Sequence, residues 1–240
     1  MASTRVSRDF EGVILRSRSG AGSDSYVDIF SLEFGLVGAL AKGGRASKKR
    51  FAGGLDVGTF GRFQAEDTGK IVWRLDGMTV LFQPLSLRTD LERLAGLSLM
   101  CEAVQLSAAA GEPDPAFYQE LRESIVMLDS GAIGPSAKIW KRILVFAGLM
   151  GDASSCEACG AYPPDQALFA PPRLICARCA PPTAPRLPQL LNATMQDLDA
   201  LSDSELKQEI LELERFFAKW FEKASGTTLK SVQLLSQLLQ

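Results

Sequence analysis

Four cysteines constrain this chain more than any other feature. They form two Cys-x-x-Cys pairs, Cys156 with Cys159 and Cys176 with Cys179, separated by sixteen proline-rich residues. Two thiolates two residues apart converge on one ion from a tight knuckle, and a second knuckle across a short hairpin completes a tetrahedron. Gly160, directly after Cys159, permits the chain to reverse. Whatever surrounds it, residues 156–179 must therefore fold back so that four sulfurs meet. Four thiolates close a coordination sphere and leave no position for water, which points to a structural Zn2+ rather than a catalytic one. A redox dithiol is the competing reading, although such motifs come singly at a strand-to-helix junction. An iron–sulfur site would use the same ligands. Arg173 and Arg178 are offset by Asp165 and Glu157. The segment reads as a staple for a long loop and not as a phosphate binder.

The fifth cysteine, Cys101, lies in the apolar helical pattern LSLMCEAV and reads as a small buried hydrophobe. The chain has no histidine. That excludes a Ser-His-Asp or Cys-His relay and an HExxH zinc site. No Walker A loop is present, and no GxGxxG follows a strand. Carboxylate chemistry stays open, but no spacing marks a pair.

The hydrophobic period changes at Pro84. Before it, FEGVILRS (10–17), YVDIFS (26–31), LVGALA (36–41), FGRFQAED (60–67), IVWRL (71–75) and MTVLFQP (78–84) read as short strands between Gly, Asp and Ser turns. That spacing predicts a small antiparallel barrel. After it, residues 87–109 read as a helix, Asp114-Pro115 open a second, Ser136 caps a third, and Ser202 with Glu205 forms a capping box before a long one that stops at Gly226. A short last helix is expected over 229–239. The fold class expected is therefore α+β and multidomain: a β-barrel over 1–84 and an α-helical domain over 85–240, with the cysteine module inserted at about 154–182. With 46% hydrophobic residues in 240, there is enough apolar material for a real core. No apolar run is long enough to span a membrane, and the N-terminus MASTRVSRDFEG lacks the apolar stretch of a secretory signal. A cytoplasmic protein is expected.

Net charge is −2, yet its distribution is uneven: residues 1–62 carry ten Lys/Arg against six Asp/Glu. The excess centres on KGGRASKKRFAGG, where Lys42, Arg45, Lys48, Lys49 and Arg50 place five cations in nine residues without an acid. Loops of this kind on small barrels hold the phosphates of single-stranded nucleic acid. This one is expected to be exposed and mobile between strands, with Arg16 and Arg18 extending the patch and Phe51 plugging the barrel. The alternative is a solvated loop whose charge only aids solubility.

The order of these features resembles the RecO family of bacterial recombination mediators. The resemblance rests on Glu11 to Leu15, Ser23-Asp24, Glu33 to Gly35, Lys42 to Arg45 and Arg50-Phe51. LRTDLERLAGLSLMCEAV, the two cysteine pairs and the terminal GTTLKSVQLL extend it over nearly the whole chain. It implies an OB-fold barrel, a helical domain and a zinc module in a protein that is not an enzyme. It implies binding of single- and double-stranded DNA, annealing of complementary strands and, with RecR, help in loading RecA onto strands coated by the single-strand binding protein SSB. Localisation at the nucleoid follows. The basic loop falls on the family's DNA-binding loop, and Cys156, Cys159, Cys176 and Cys179 fall on its metal ligands. The SSB tail is implied to dock on the helical domain. There the third helix is the candidate, with Lys138, Lys141 and Arg142 to meet a carboxylate and Ile139, Leu144 and Phe146 to line a groove. A core helix with solvated lysines is the alternative. Two other functional classes remain open: an adaptor that recruits partners with little DNA binding of its own, and a nuclease or ligase accessory.

Overall fold

The computed structural model describes residues 5–52, 54–131, 135–149, 155–161, 167–170, 173–176, 178–181 and 203–233. The chain divides into two compact units, Met1–Asp129 and Ser130–Gln240.

Five strands close the barrel of the first unit: β1 (Val6–Ser19), β2 (Ser25–Ser31), β3 (Gly35–Ala41), β4 (Phe60–Asp67) and β5 (Val72–Phe82). Their order is β1-β2-β3-β5-β4, and β1 pairs back onto β4, so no edge is left open. All pairings are antiparallel except β3 with β5. Alternation is cleanest in β3, where Gly35, Val37, Ala39 and Ala41 are buried and the residues between them are half-exposed. Phe10, Ile14, Val27, Ile29, Phe63 and Leu75 join them in the core. Phe10 stacks on Phe63 with centroids 5.5 Å apart, and Phe34 and Trp73 meet Phe10 edge-on.

The sixth expected strand does not exist separately, because IVWRL and MTVLFQ run as the single strand β5. Its Asp76-Gly77 dipeptide looks like a turn in sequence. Opposite β4, Gln64 faces Gly77 while Ala65 faces Leu75, so Asp76 is an extra residue in a β-bulge. Leu81 is a second one. Bulges add the twist that a small closed barrel requires.

Two helices pack on the barrel's outer surface. A 3₁₀ turn (Ser86–Thr89) precedes α1 (Leu91–Ser107), and α2 spans Pro115–Asp129. The expected helix over 87–109 is divided because Asp90 acts as N-cap, accepting from the Arg93 backbone N–H at 3.1 Å. Asp114 caps α2 as expected, through the Phe117 N–H at 2.9 Å. Phe30, on the outside of β2, meets Phe117 and Tyr118 of α2. Gly35 bridges Ala110 in the connection between the helices, and the N–H of Leu36 reaches the Ala109 carbonyl at 3.0 Å.

In the second unit, α3 (Pro135–Phe146) packs on α4 (Asp203–Ser225). Trp140 lies parallel to Phe217 at 6.2 Å. Gly226, at φ +69°, ends α4 as its sequence predicts. Between these helices β6 (Ala167–Ala170) pairs with β7 (Arg173–Cys176) in a hairpin. The capping Ser202 and most of the expected last helix lie outside the described residues.

Candidate functional site

The hairpin of β6 and β7 assembles the cysteine cluster. β7 ends at Cys176, and the Cys179 and Ala180 N–H groups turn back to the Cys176 carbonyl at 3.0 Å each. The first knuckle closes through Gly160 N–H to Cys156 O at 2.7 Å, with Gly160 at φ +69°. All four sulfurs lie within 4.8 Å of one another, and Cys159 Sγ is 3.7 Å from Cys176 Sγ. A tetrahedral ion with zinc–sulfur bonds of about 2.3 Å would hold its ligands roughly 3.8 Å apart. The donor set therefore fits a thiophilic metal. Cys156 and Cys176 are buried with Ile175 against Ala180, while Cys159 and Cys179 face solvent.

Backbone N–H groups prepare two of these sulfurs for an ion. The Cys176 N–H donates to Cys156 Sγ at 3.2 Å and is the main reason that thiol is lowered to about 6. Cys176 is lowered in turn, chiefly by the Cys179 N–H. Cys179 is raised to about 12 because it donates to the sulfurs of Cys159 and Cys176. The downward shifts at Cys156 and Cys176 are the ones fixed by backbone geometry.

The basic loop is at the opposite end of the chain's chemistry. Lys42, Arg45, Lys48, Lys49 and Arg50 are all exposed. The loop is exposed as expected, and it is also tied to its surroundings by hydrogen bonds. Asp24 Oδ1 accepts the Gly43 N–H at 2.7 Å, and the Ser23 carbonyl accepts the Arg45 N–H at 3.0 Å. Arg45 also donates through its guanidinium to Ser19 Oγ and the Gly22 carbonyl. Arg50 donates to the Lys42 carbonyl and lies 5.2 Å over the Phe51 ring. Its own carbonyl accepts from Met78 N–H at 3.0 Å. Arg45 and Arg50 thus brace the loop, and Lys42, Lys48 and Lys49 are left without an ion-pair partner among the described residues. Phe51 is buried in the barrel core, as its position beside the loop suggests.

Between this loop and the β1–β2 hairpin lies a groove of about 580 Å³. Arg18, Arg45 and Lys48 line it together with Ser17, Ser19, Ser25 and Ser47, over Phe51 and Leu55. Its one acid, Asp56, is held by Arg88 and by Gln83 at 3.1 Å. The groove is therefore cationic and rich in hydroxyl donors, as a phosphodiester requires. Arg16 does not line it. It is half-buried across from Asp28 on the outside of the sheet. Ser17, Ser19, Ser25 and Ser47 carry no signal of their own in the sequence. The Ser23-Asp24 dipeptide was legible as part of the resemblance, but its task of pinning the loop is visible only in three dimensions.

The third-helix candidates fare differently. Ile139 and Leu144 are buried and belong to the core side of α3, so they do not line an exposed groove. Arg142 and Phe146 are half-buried. The side chains of Lys138 and Lys141 lie outside the described residues.

The chain matches the family described as recombination protein O N terminal over residues 6–83, and recombination protein O C terminal over 88–233. Among relatives, a "DNA repair protein RecO" of Anaeromyxobacter sp. (strain K) is 31% identical over 201 residues, 81% of this chain and 79% of that protein. One of Myxococcus xanthus is 30% identical over 163 residues, 67% of each. One of Bacillus velezensis is 25% identical over 240 residues, 95% of this chain and 93% of that protein. With Syntrophobacter fumaroxidans the alignment covers only 60% of the relative's length. The barrel, the helices and the cysteine cluster all lie within the matched segments, and the chain belongs to the recombination protein O family.

Proposed function

We propose that this chain acts in DNA repair and homologous recombination as a mediator without chemistry of its own. Its barrel, with strand order β1-β2-β3-β5-β4 and a β3–β5 closure, is read as an OB-fold. The observation that carries the reading is the braced cationic loop over a serine-lined groove. Phosphates of single- and double-stranded DNA would lie along Lys42, Lys48 and Lys49, with Arg18 and Arg45 at the groove wall. Neutralising two strands at once lowers their repulsion and lets complementary bases meet, which is the annealing step. With RecR, the protein would help to load RecA onto strands coated by SSB, and would engage the acidic SSB tail through its helical unit. Its place would be cytoplasmic, at the nucleoid. Among the described residues no helix is long and apolar enough to cross a membrane.

Zn2+ is the proposed metal, held by Cys156, Cys159, Cys176 and Cys179. Bound there, it supplies a cross-link rather than a reaction. The backbone N–H groups that donate to Cys156 and Cys176 favour the thiolate form that a metal requires.

The test is anisotropy of labelled single-stranded DNA at two salt concentrations, with wild type and Lys48→Ala/Lys49→Ala. Wild type should bind, more weakly at higher salt, and the variant should bind less tightly with a shallower salt dependence. Absence of binding at low salt would favour an adaptor that acts on SSB and RecR alone.

A further inference from the structure

The groove between the basic loop and the β1–β2 hairpin reaches into the mouth of the barrel. A bulge between Ile14 and Arg16 reverses the alternation of β1. Ser17 then stands opposite Val27 and Ser19 opposite Ser25, while Ser25 also stands opposite Ala41 of β3. Val27 and Ala41 belong to the core, and directly opposed residues share a face, so all three serines are on the inner side of the sheet. At this end the interior changes from apolar to hydroxyl-lined, over Phe51 and Leu55. Ser19 Oγ already accepts from the Arg45 guanidinium at 3.3 Å. Ser25 is only 4% exposed and lines the groove, and its hydroxyl makes no hydrogen bond among the described residues. Burying a hydroxyl without a partner is costly, and a ligand that accepts from it recovers the loss.

The two lips of this mouth are tied together at the hairpin tip. Gly43 N–H donates to Asp24 Oδ1, Arg45 N–H to the Ser23 carbonyl, and the Arg45 guanidinium to Ser19 and the Gly22 carbonyl. A strand running across the tip would have to break these contacts, whereas a chain end enters without disturbing them. Arg18 and Lys48 stand beside Arg45 at the mouth, and Arg18 is held loosely by Asp28 at 3.8 Å. We propose that the barrel mouth is a pocket for a terminal phosphate, the phosphomonoester of a nucleotide. Ser17 and Ser25 donate to its oxygens, and Arg18 and Lys48 meet its charge. A phosphomonoester concentrates a charge of about −1.5 to −2 on three acceptor oxygens near pH 7. Clustered hydroxyls and cations favour that group over the singly charged phosphodiester of a continuing strand. The space of about 580 Å³ admits a nucleotide, and Phe51 and Leu55 offer its sugar an apolar floor. Where the phosphate belongs to a strand end, the inference rests on the DNA-binding reading above; a free nucleotide presents the same group.

The test uses the full chain and an internally labelled oligo-dT that carries a phosphate at its 5′ end, at its 3′ end or at neither. Thymidine monophosphate and thymidine are separate probes. Wild type should bind a phosphorylated strand about tenfold more tightly than the unphosphorylated one. Ser25→Ala, which removes one hydroxyl and adds no bulk, should cut that preference several-fold and bind the unphosphorylated strand like wild type. Ser25→Val, which fills the pocket, should abolish the preference. Circular dichroism melting confirms that each variant is folded, and Ser17→Ala, at an exposed position, gives the same reading if a Ser25 variant does not fold. A preference that survives in these variants overturns the pocket. So does equal binding of all three strands with no rise in melting temperature on adding thymidine monophosphate, and the DNA-binding reading then stands. A rise with thymidine monophosphate but not thymidine, lost in Ser25→Val, supports the pocket and, without an end preference, identifies a free nucleotide as its ligand. If wild type binds no strand, the DNA-binding reading falls, and the response to thymidine monophosphate alone upholds or overturns the pocket.

Discussion

Gly35 leaves no room for a side chain. It sits at φ +66°, and a Cβ would lie 2.5 Å from the Ala109 carbonyl oxygen and 2.7 Å from that of Glu112. Both obstacles are backbone, so nothing can swing aside. Gly35→Ala should destabilise the first unit by about 2–4 kcal/mol, read as a fall in the urea midpoint without a change in slope. Glu33, two residues earlier, fixes the same turn by accepting from Ser31 Oγ and from the Glu11 N–H. The Glu-Phe-Gly triplet seen in sequence is therefore a built corner. Cys101 is the residue-scale counterpart. Burial pushes its thiol up to about 12, so at pH 8 almost no thiolate exists to react. Iodoacetamide should leave Cys101 unmodified in the folded protein and alkylate it only in denaturant, as peptide mass mapping would show. Among the loop cations, Lys48 and Lys49 are the ones to replace. Arg50→Ala would also release the Lys42 carbonyl and the Phe51 ring, and so confound binding with folding.

At the scale of elements, the cysteine module depends most on a ligand. Among the described residues its apolar core is Cys156, Ile175 and Cys176 with Ala180, and a hairpin of two four-residue strands is marginal on its own. Chelation should expose residues 155–181 to limited proteolysis while leaving the barrel resistant. Metal binding should also depend on pH with a definite sign. Cys156 is a thiolate above about 6, whereas Cys179, raised to about 12, still carries its proton near neutrality. Uptake of metal at pH 7.5 should therefore release protons, and acidification should drive the metal out at a pH below that at which the metal-free Cys156 thiol takes up its proton. Proton release in a weakly buffered titration checks the first, and metal analysis after dialysis the second. Helix α1 offers a pH-dependent element of another kind. Burial tends to raise the Asp90 carboxyl, but the backbone and guanidinium of Arg93 together hold it below the usual range. Its stabilising effect is present above the unfolded value of about 3.9 and is lost as pH falls through the folded one.

For the molecule as a whole, a net charge of −2 conceals an uneven distribution. The positive excess sits in residues 1–62, chiefly in the loop over 42–50, while the rest of the chain is net negative. If the loop and groove bind DNA as proposed, affinity should rest on few phosphates and fall with a log–log salt slope of about −2 to −3.5 for single strands, from the three loop lysines alone to those three with the two groove arginines. A much steeper slope, measured by anisotropy across a salt series, would mean that a wider surface contacts DNA. The division between Asp129 and Ser130 also differs from the change of period at Pro84. The period reports where strands stop. The compact unit continues because Phe30 and Gly35 on the barrel pack against α2 and the connection before it.

Sequence alone determined the local features, since they depend on neighbours in the chain. Knuckle spacing marked the four sulfurs, alternation marked β1 to β4, and Asp114-Pro115 and Gly226 marked helix ends. The five loop cations were equally plain. Tertiary structure decided everything that depends on partners distant in the chain. Asp76-Gly77 reads as a turn until β4 runs opposite it, and then it is a bulge. Arg45 and Arg50 read as unconstrained cations until Gly22 and Lys42 present their carbonyls. Ser17, Ser19 and Ser25 carry no signal singly and meet at the barrel mouth only through register. A side chain's chemistry is local, but whether it is available for use is set by what the fold places beside it.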